Sequence, residues 1–353
     1  MTKCHIAYLA CTAALIGAGV GAAPPIAVPE THLVFPGQSI QKAVDKAKAG
    51  DTVLVTPGVY HESVTVNTPR LKLLGMGRST VIKPSQEKAE ERSCAGNGNG
   101  ICVVGAKDRK LEGVTVGHLT VTGFTRAGIF ALSTDRLTVR NVTSVKNGVW
   151  GIAQERSVRG VFLKNTAREN GDAGLFLANT IKAEEGAADT QGAVVERNRL
   201  EDNRIGLTVR RLRNLTVADN QVTGNCAGVF VVGDENKPRA GALTVRDNRI
   251  VANNKSCPKT ERLDALQGSG IVLTGAEDTL VTRNVIRDNA GSFSMSGGIV
   301  LVKSMVGAPN ERNRITGNTL ENNSPADLVD ADTGRSNTFE SNSCAASKPA
   351  GLC

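Results

Sequence analysis

The sequence predicts an all-β solenoid in which short strands stack coil upon coil, and three observations predict it. The motif Asn-x-Φ-x-x-Asn, with Φ aliphatic, recurs along the chain, in copies starting at Asn165, Asn198, Asn220, Asn248, Asn284 and Asn318. A second signature, Gly followed by an aliphatic residue, recurs between these copies, as in Gly151-Ile152, Gly206-Leu207 and Gly270-Ile271. Aromatic residues make up 3% of the chain against 38 glycines, so the core is built from Val, Ile, Leu and Ala on a tightly turning backbone. With 353 residues, 40% of them hydrophobic and 22% charged, the chain has ample material for a packed core. That excludes a disordered, collagenous or multi-span membrane protein.

From the N-terminus, residues 1–23 read as a secretory signal: Lys3 begins it, Ile6 to Val20 is apolar, and Gly21, Ala22 and Ala23 offer small residues for cleavage. The apolar run is too short to span a bilayer and no later stretch approaches one, so no membrane insertion is expected. Removing the signal takes Lys3 from the 42 basic residues and none of the 34 acidic ones, so the net charge falls from +8 to +7. Such an excess suits acidic partners as well as solubility. Residues 24–32 read as a linker.

Ser39 is placed to cap a helix over 39–49, with Ile40, Ala43, Val44 and Ala47 on one face and Gly50 as its stop. Laid across the open first coil, that helix would shield strand edges and apolar interior.

The Asn motifs start 33, 22, 28, 36 and 34 residues apart, a unit near 22 with insertions of variable length. Apolar and polar residues alternate over only three to five positions, as in Leu243-Thr244-Val245, which is the period of short strands. Three such strands per unit describe one coil of a parallel β-solenoid. The Asn residues are expected to take left-handed corner positions and to stack their amides along a column. Each Gly before an aliphatic residue is expected to admit another unusual corner conformation.

Cys4 and Cys11 fall in the signal, leaving six cysteines in an exported chain, an even number that reads as disulfides. Cys94 with Cys102 and Cys344 with Cys353 close short loops. Cys226 and Cys257 follow Asn225 and Asn253 in successive coils. No Cys and His clustering supports a metal site.

The opening stretch Ser39-Ile40-Gln41-Lys42-Ala43-Val44 through Gly58-Val59-Tyr60, together with the repeats behind it, resembles the right-handed parallel β-helix proteins of the pectate-lyase-like superfamily. Within them it is similar to the NosD-like periplasmic and secreted repeat proteins. The resemblance covers about residues 32–343. It implies a single-stranded right-handed parallel β-helix over 33–343, closed by a disulfide-bearing tail at 344–353. For activity it implies a choice among lyases, hydrolases, epimerases and non-catalytic proteins. The paired-Asp and Gly-His-Gly signatures of polygalacturonase-like enzymes, the Asp-Pro-His of alginate epimerases and the Arg-x-x-Arg-Pro of pectate lyases are all missing. Copper-site maturation, by analogy with the NosD-like family, is disfavoured by few histidines and four Met. His32, His61 and His118 are expected in surface or turn roles.

If the aliphatic residue after each Gly points inward, the next position points out, giving a largely apolar column that includes Phe130, Ala153, Phe176, Thr208 and Phe230. Two residues further on, Glu155 and Arg210 are the charged members of a second column, two coils apart. Arg210, Arg211 and Arg213 then form a basic group with Glu155 and Arg156 opposite. They read either as solvated turn residues or as an anion-binding patch gripping uronate or sulfate through guanidinium forks. Insertions at 181–191, 234–241, 255–269 and 304–312 are placed to fold over the apolar column. Asp330-Ala331-Asp332 and Asp234-Glu235 could bind Ca²⁺, each supplying in sequence only part of a ligand set; no other cofactor is expected.

The expected function is a secreted protein that binds or modifies an acidic extracellular polysaccharide or cell-wall polymer; the alternative is a non-catalytic scaffold or surface-interaction module. A monomer is expected. Tyr60 and Trp150, the aromatic Tyr and Trp that follow the signal, are too few for a nucleic-acid groove, so no nucleic-acid partner is expected.

Overall fold

The computed structural model describes residues 28–353 apart from Lys88, Lys107 and Arg262. The predicted signal and residues 24–27 of the linker lie outside the described residues. The chain winds as a parallel β-helix with three long sheets. The first has twelve strands, from Thr31–Val34 to Thr338–Glu340; the second has ten, from Gly58–His61 to Thr319–Glu321; the third has eleven, from Val64–Val66 to Ser347–Lys348.

Period-two alternation puts one column of each sheet inside. In the first sheet Val139 pairs with Phe162, then Val195, then Val217, all buried. Ala167, Leu200, Val222 and Ile250 line the second, and Ile152, Leu175, Leu207 and Val229 the third. Because each strand meets its equivalent one coil later, a single apolar position per strand builds a continuous core.

The Asn motif works differently from the expectation. The left-handed residue is the one before each Asn: Lys164, Arg197, Asp219 and Asp247 have φ of 55°, 56°, 56° and 56°. The Asn that follows turns its side chain inward. Asn165 Nδ2 donates to Asn198 Oδ1 at 3.0 Å, Asn198 to Asn220 at 2.9 Å and Asn220 to Asn248 at 2.9 Å. A parallel ladder runs from Asn147 through Asn170, Asn203, Asn225 and Asn253 to Asn289. Each of these donor amides but Asn147 also donates to a backbone carbonyl, as Asn198 does to Phe162 O at 2.9 Å, and Asn147 donates to the Ser144 hydroxyl at 3.1 Å, so buried donors and acceptors are satisfied where the chain turns.

The glycines before the aliphatic residues also differ from the expectation. Gly206, Gly228 and Gly270 lie outside the positive-φ set, so freedom of φ is not their reason. A Cβ would lie 2.7 Å from Gly228 O at Gly206, 2.5 Å from Gly270 O at Gly228 and 2.3 Å from Gly298 O at Gly270. The column is glycine because adjacent coils approach too closely for a side chain.

Helix α1 spans Ile40–Lys46, with Ser39 as its cap accepting from Lys42 N–H. It ends earlier than expected because Ala47 is already extended, at φ −72° and ψ 142°. The Asp51 carboxylate then captures the N–H of Lys48 at 2.8 Å and of Glu30 at 2.8 Å and the His32 ring at 3.0 Å. The His32 bond, then the two backbone bonds, hold Asp51 down to a pKa of about 2 against an ordinary 3.8. A lowered acid pKa stabilises the fold above the ordinary value and loses that contribution as pH falls through about 2. Acid titration followed by hydrogen exchange at residues 30–51 is therefore expected to show this cap opening over that window, with Asp51→Asn opening it at neutral pH.

Three disulfides close the structure: Cys94 with Cys102, Cys226 with Cys257 and Cys344 with Cys353. The central pair has its α-carbons 6.0 Å apart and anchors the insertion after Asn253 to the preceding coil.

Candidate functional site

The outward face of the third sheet carries the columns read from the sequence. Phe130, Ala153, Phe176, Thr208 and Phe230 are in successive register, and Glu155, Ala178 and Arg210 follow one another beside them. Most of this face is closed to solvent. Ala153, Phe176, Phe230, Val272 and Val300 are buried in a second apolar cluster with Ile181, Cys257 and Leu266, side chains delivered by the insertions, and with Met295 from the turn before Gly297.

The charged residues fasten those insertions. Arg210 Nη1 donates to Ile181 O at 3.0 Å while Glu155 Oε1 accepts from Ile181 N–H at 3.0 Å, so the two grip both polar groups of one residue across the intervening coil. Arg156 meets Glu185 at 2.6 Å. Arg211, buried and left-handed at φ 53°, lies between the carboxylates of Glu184 and Asp234 and donates to Ala183 O at 2.7 Å. Arg213 turns away to Arg239 O and Glu277, each at 2.6 Å. Glu155, Arg156, Arg210 and Arg211 thus converge on segment 181–185, and Arg213 joins a different network.

The Ca²⁺ candidates hold protein donors. Asp332 accepts from the Asn310 backbone and side chain, each at 2.6 Å, and Asp234 faces Arg211. Burial raises the Asp330 carboxyl above its ordinary value. Among the described residues, the group of His and carboxylate side chains close enough to hold a metal is Glu30, His32 and Asp51.

A cleft of about 430 Å³ opens where the chain turns into the third sheet, lined by Glu169, Asn170, Gly171, Asp202, Arg204, Lys255, Cys257 and Pro258. Glu169 and Asp202 stand at left-handed corners before Asn170 and Asn203 of successive coils, so both side chains leave the solenoid at the same corner, one coil apart. Arg204 donates to Pro258 O at 2.7 Å and Asp264 O at 3.1 Å, and Lys255 Nζ to Asp202 O at 3.0 Å. Asp172, next to Gly171, accepts from Trp150 Nε1 at 3.1 Å. Trp150 stacks on Phe176 at 4.7 Å, and the Arg126 guanidinium sits 5.3 Å from its ring. Burial raises the Asp172 carboxyl, against the opposing effects of the Trp150 bond and the Arg204 charge. Burial in turn lowers the pKa of Arg204.

A carboxyl kept protonatable above its usual range beside fixed cations is the arrangement that proton transfer to an anionic ligand needs. Sequence reasoning missed Asp172. Its partner Trp150 comes from the preceding coil, and the lone Trp was the signal that could have led to it.

Two family models match. One, described as right handed beta helix region, covers residues 81–241; the other, periplasmic copper-binding protein (NosD), covers 178–348. No curated protein sequence matches the chain. Among solved structures the chain is similar to the A-module of the mannuronan C-5 epimerase AlgE4 from Azotobacter vinelandii, at 19% identity and TM-score 0.57 over 86% of this chain and 90% of that one. It is also similar to DFA-IIIase from Arthrobacter chlorophenolicus A6, at 13% identity and TM-score 0.55 over 87% and 76%. The Family 28 exopolygalacturonase of Yersinia enterocolitica gives 12% identity and TM-score 0.54 over 90% and 76%.

Copper does not fit the segment matched by the NosD model. That segment contains no histidine, and Cys226, Cys257 and Cys344 within it are in disulfides. Copper sites draw on imidazole and sulfur ligands, which leaves Met295 and Met305, one buried and one exposed. The parallel coils, the stacked sheets and these likenesses make the chain a right-handed parallel β-helix protein.

Proposed function

We propose that this protein is exported and binds or modifies an acidic polysaccharide in the cleft beside Asp172. The observation that carries the reading is the half-buried Asp172 carboxyl, raised by burial and set beside Arg204 at the edge of a cleft with Lys255. The likeness to a mannuronan epimerase module and an exopolygalacturonase supports a carbohydrate ligand through shared fold. Three disulfides support an oxidising compartment. Among the described residues no helix is long and apolar enough to cross a membrane. Glu155, Arg156, Arg210, Arg211 and Arg213 enter this reading as the residues that fix the walls around the third sheet. Secretion, action as a monomer and contact of these five with an acidic glycan belong to the proposal.

The test is a panel of alginate, polygalacturonate and sulfated glycans, scored for binding, for unsaturated or shortened products and for epimerised residues. Asp172→Asn is expected to lower turnover by about 10²-fold or more while binding falls by only a few fold, the usual scale for losing a general acid or base. The pH profile of the wild type is expected to show an acid limb above the ordinary carboxylate range that the variant lacks. Equal turnover in both proteins would remove Asp172 from the chemistry. Binding without turnover in the wild type would favour the second reading, a non-catalytic scaffold, which the engagement of Arg210, Arg211 and Arg213 by insertions also favours.

A further inference from the structure

A second cleft, of about 270 Å³, lies at the corner between the first and second sheets. Arg78, His118, Asn141, Thr143, Lys164 and Thr166 line it, and no carboxylate does. His118, Asn141 and Lys164 are the left-handed corner residues of three successive coils, at φ 57°, 52° and 55°. Their side chains therefore leave the solenoid one above another, at about 4.8 Å per coil. Thr143 and Thr166 are paired in the adjoining sheet and present hydroxyls with no partner among the described residues.

The cations here lack what cations elsewhere in the same corner column have. Arg197 pairs with Glu196 at 3.1 Å and Arg283 with Asp247 at 2.8 Å. Arg78, Lys164 and the adjacent Arg140 form no ion pair among the described residues. His118 is half-buried; its pKa is lowered, first by burial and then by the Arg140 charge. A cleft lined by two permanent cations, with Arg140 adjacent, hydroxyl and amide donors and no carboxylate attracts anions, and a single carboxylate would neutralise only one of those charges. A phosphate monoester or phosphate ion carries nearly two charges near neutral pH and three or four acceptor oxygens, matching a guanidinium, an ammonium and the Thr hydroxyls together.

We propose that this corner is a binding site for a dianionic phosphate group, as the free ion or as a monoester on a larger molecule. The site is separate from the Asp172 cleft and does not depend on the function proposed for it.

Nuclear magnetic resonance titration of His118 in the full chain tests the proposal, with the His118 signal assigned through His118→Gln. A bound dianion favours the imidazolium, so saturating inorganic phosphate is expected to move the His118 titration to higher pH. Arg78→Gln/Lys164→Gln, both at exposed side chains, is expected to weaken phosphate binding by at least about tenfold with an unchanged circular-dichroism spectrum. Lys164→Arg is expected to retain it. Tighter binding of glycerol 2-phosphate than of inorganic phosphate would assign the site to an ester, and the reverse order to the free ion; both support it. An unmoved His118 titration, an unaffected double variant, or a galacturonate trimer bound as tightly as phosphate would overturn it.

Discussion

Replacing Asn203 by Ala is expected to lower stability by about 3 to 5 kcal/mol, measured by chemical denaturation. Asn203 Oδ1 accepts from Asn170 N–H at 3.0 Å and Asn170 Nδ2 at 2.9 Å, while its own Nδ2 donates to Ala167 O at 3.0 Å and Asn225 Oδ1 at 3.1 Å. Truncation leaves buried donors and a carbonyl without partners, each costing about 1 to 3 kcal/mol where water cannot reach. Because a solenoid is held by contacts between neighbouring coils, the loss falls on the interfaces to both sides. Gln221, exposed, outside the ladder and with no side-chain hydrogen bond among the described residues, is the control, and its change to Ala is expected to cost about 0.5 kcal/mol or less. A loss below about 1 kcal/mol at Asn203 would mean that the ladder is decoration on a fold held by the apolar columns alone.

Arg211→Met is expected to cost about 3 to 5 kcal/mol and to free the insertions it clamps. The guanidinium is buried and joined to Asp234, itself nearly buried, and its removal leaves that carboxylate inside the structure without a counter-charge. Adding Asp234→Asn is expected to recover part of the loss, since the two residues act as one unit. Limited proteolysis is the direct readout, with cleavage expected to appear within 181–187 and 234–240 first. Resistance of these segments in the single variant would show that the apolar cluster under them suffices. A variant lacking Arg210, Arg211 and Arg213 together therefore tests wall integrity at the same time as glycan contact.

Much of this fold was legible because a parallel coil repeats its chemistry. Inward Ile152, Leu175 and Leu207 and outward Ala153, Phe176 and Thr208 were assigned by alternation alone, and the register places them in those columns. The Asn and Gly positions were equally visible, yet their reasons were misread. Spacing marks where a corner lies but not which residue of it carries the positive φ, and an Asn next to a left-handed Lys164 or Arg197 looks the same in sequence as a left-handed Asn. The glycine column needs the distance between coils, because the carbonyl that would meet a Cβ at Gly228 belongs to Gly270 in the next coil.

The candidate site was less legible. Glu155 and Arg210 were placed on the correct face, but the Ile181 backbone that holds both belongs to an aperiodic insertion. Asp172 and Trp150, like Arg78, His118 and Lys164, acquire meaning only when separate coils are superposed.

The sequence by itself determined the repeat, the all-β solenoid and the side of each strand that faces inward, because the pleat has period two and every coil must bury the same positions. Tertiary structure decided that insertions cover the outer face of the third sheet, that Arg211 is a buried clamp, and that one corner holds cations with no ion pair among the described residues. Those outcomes depend on non-local contacts among segments of unequal length, which no periodicity constrains.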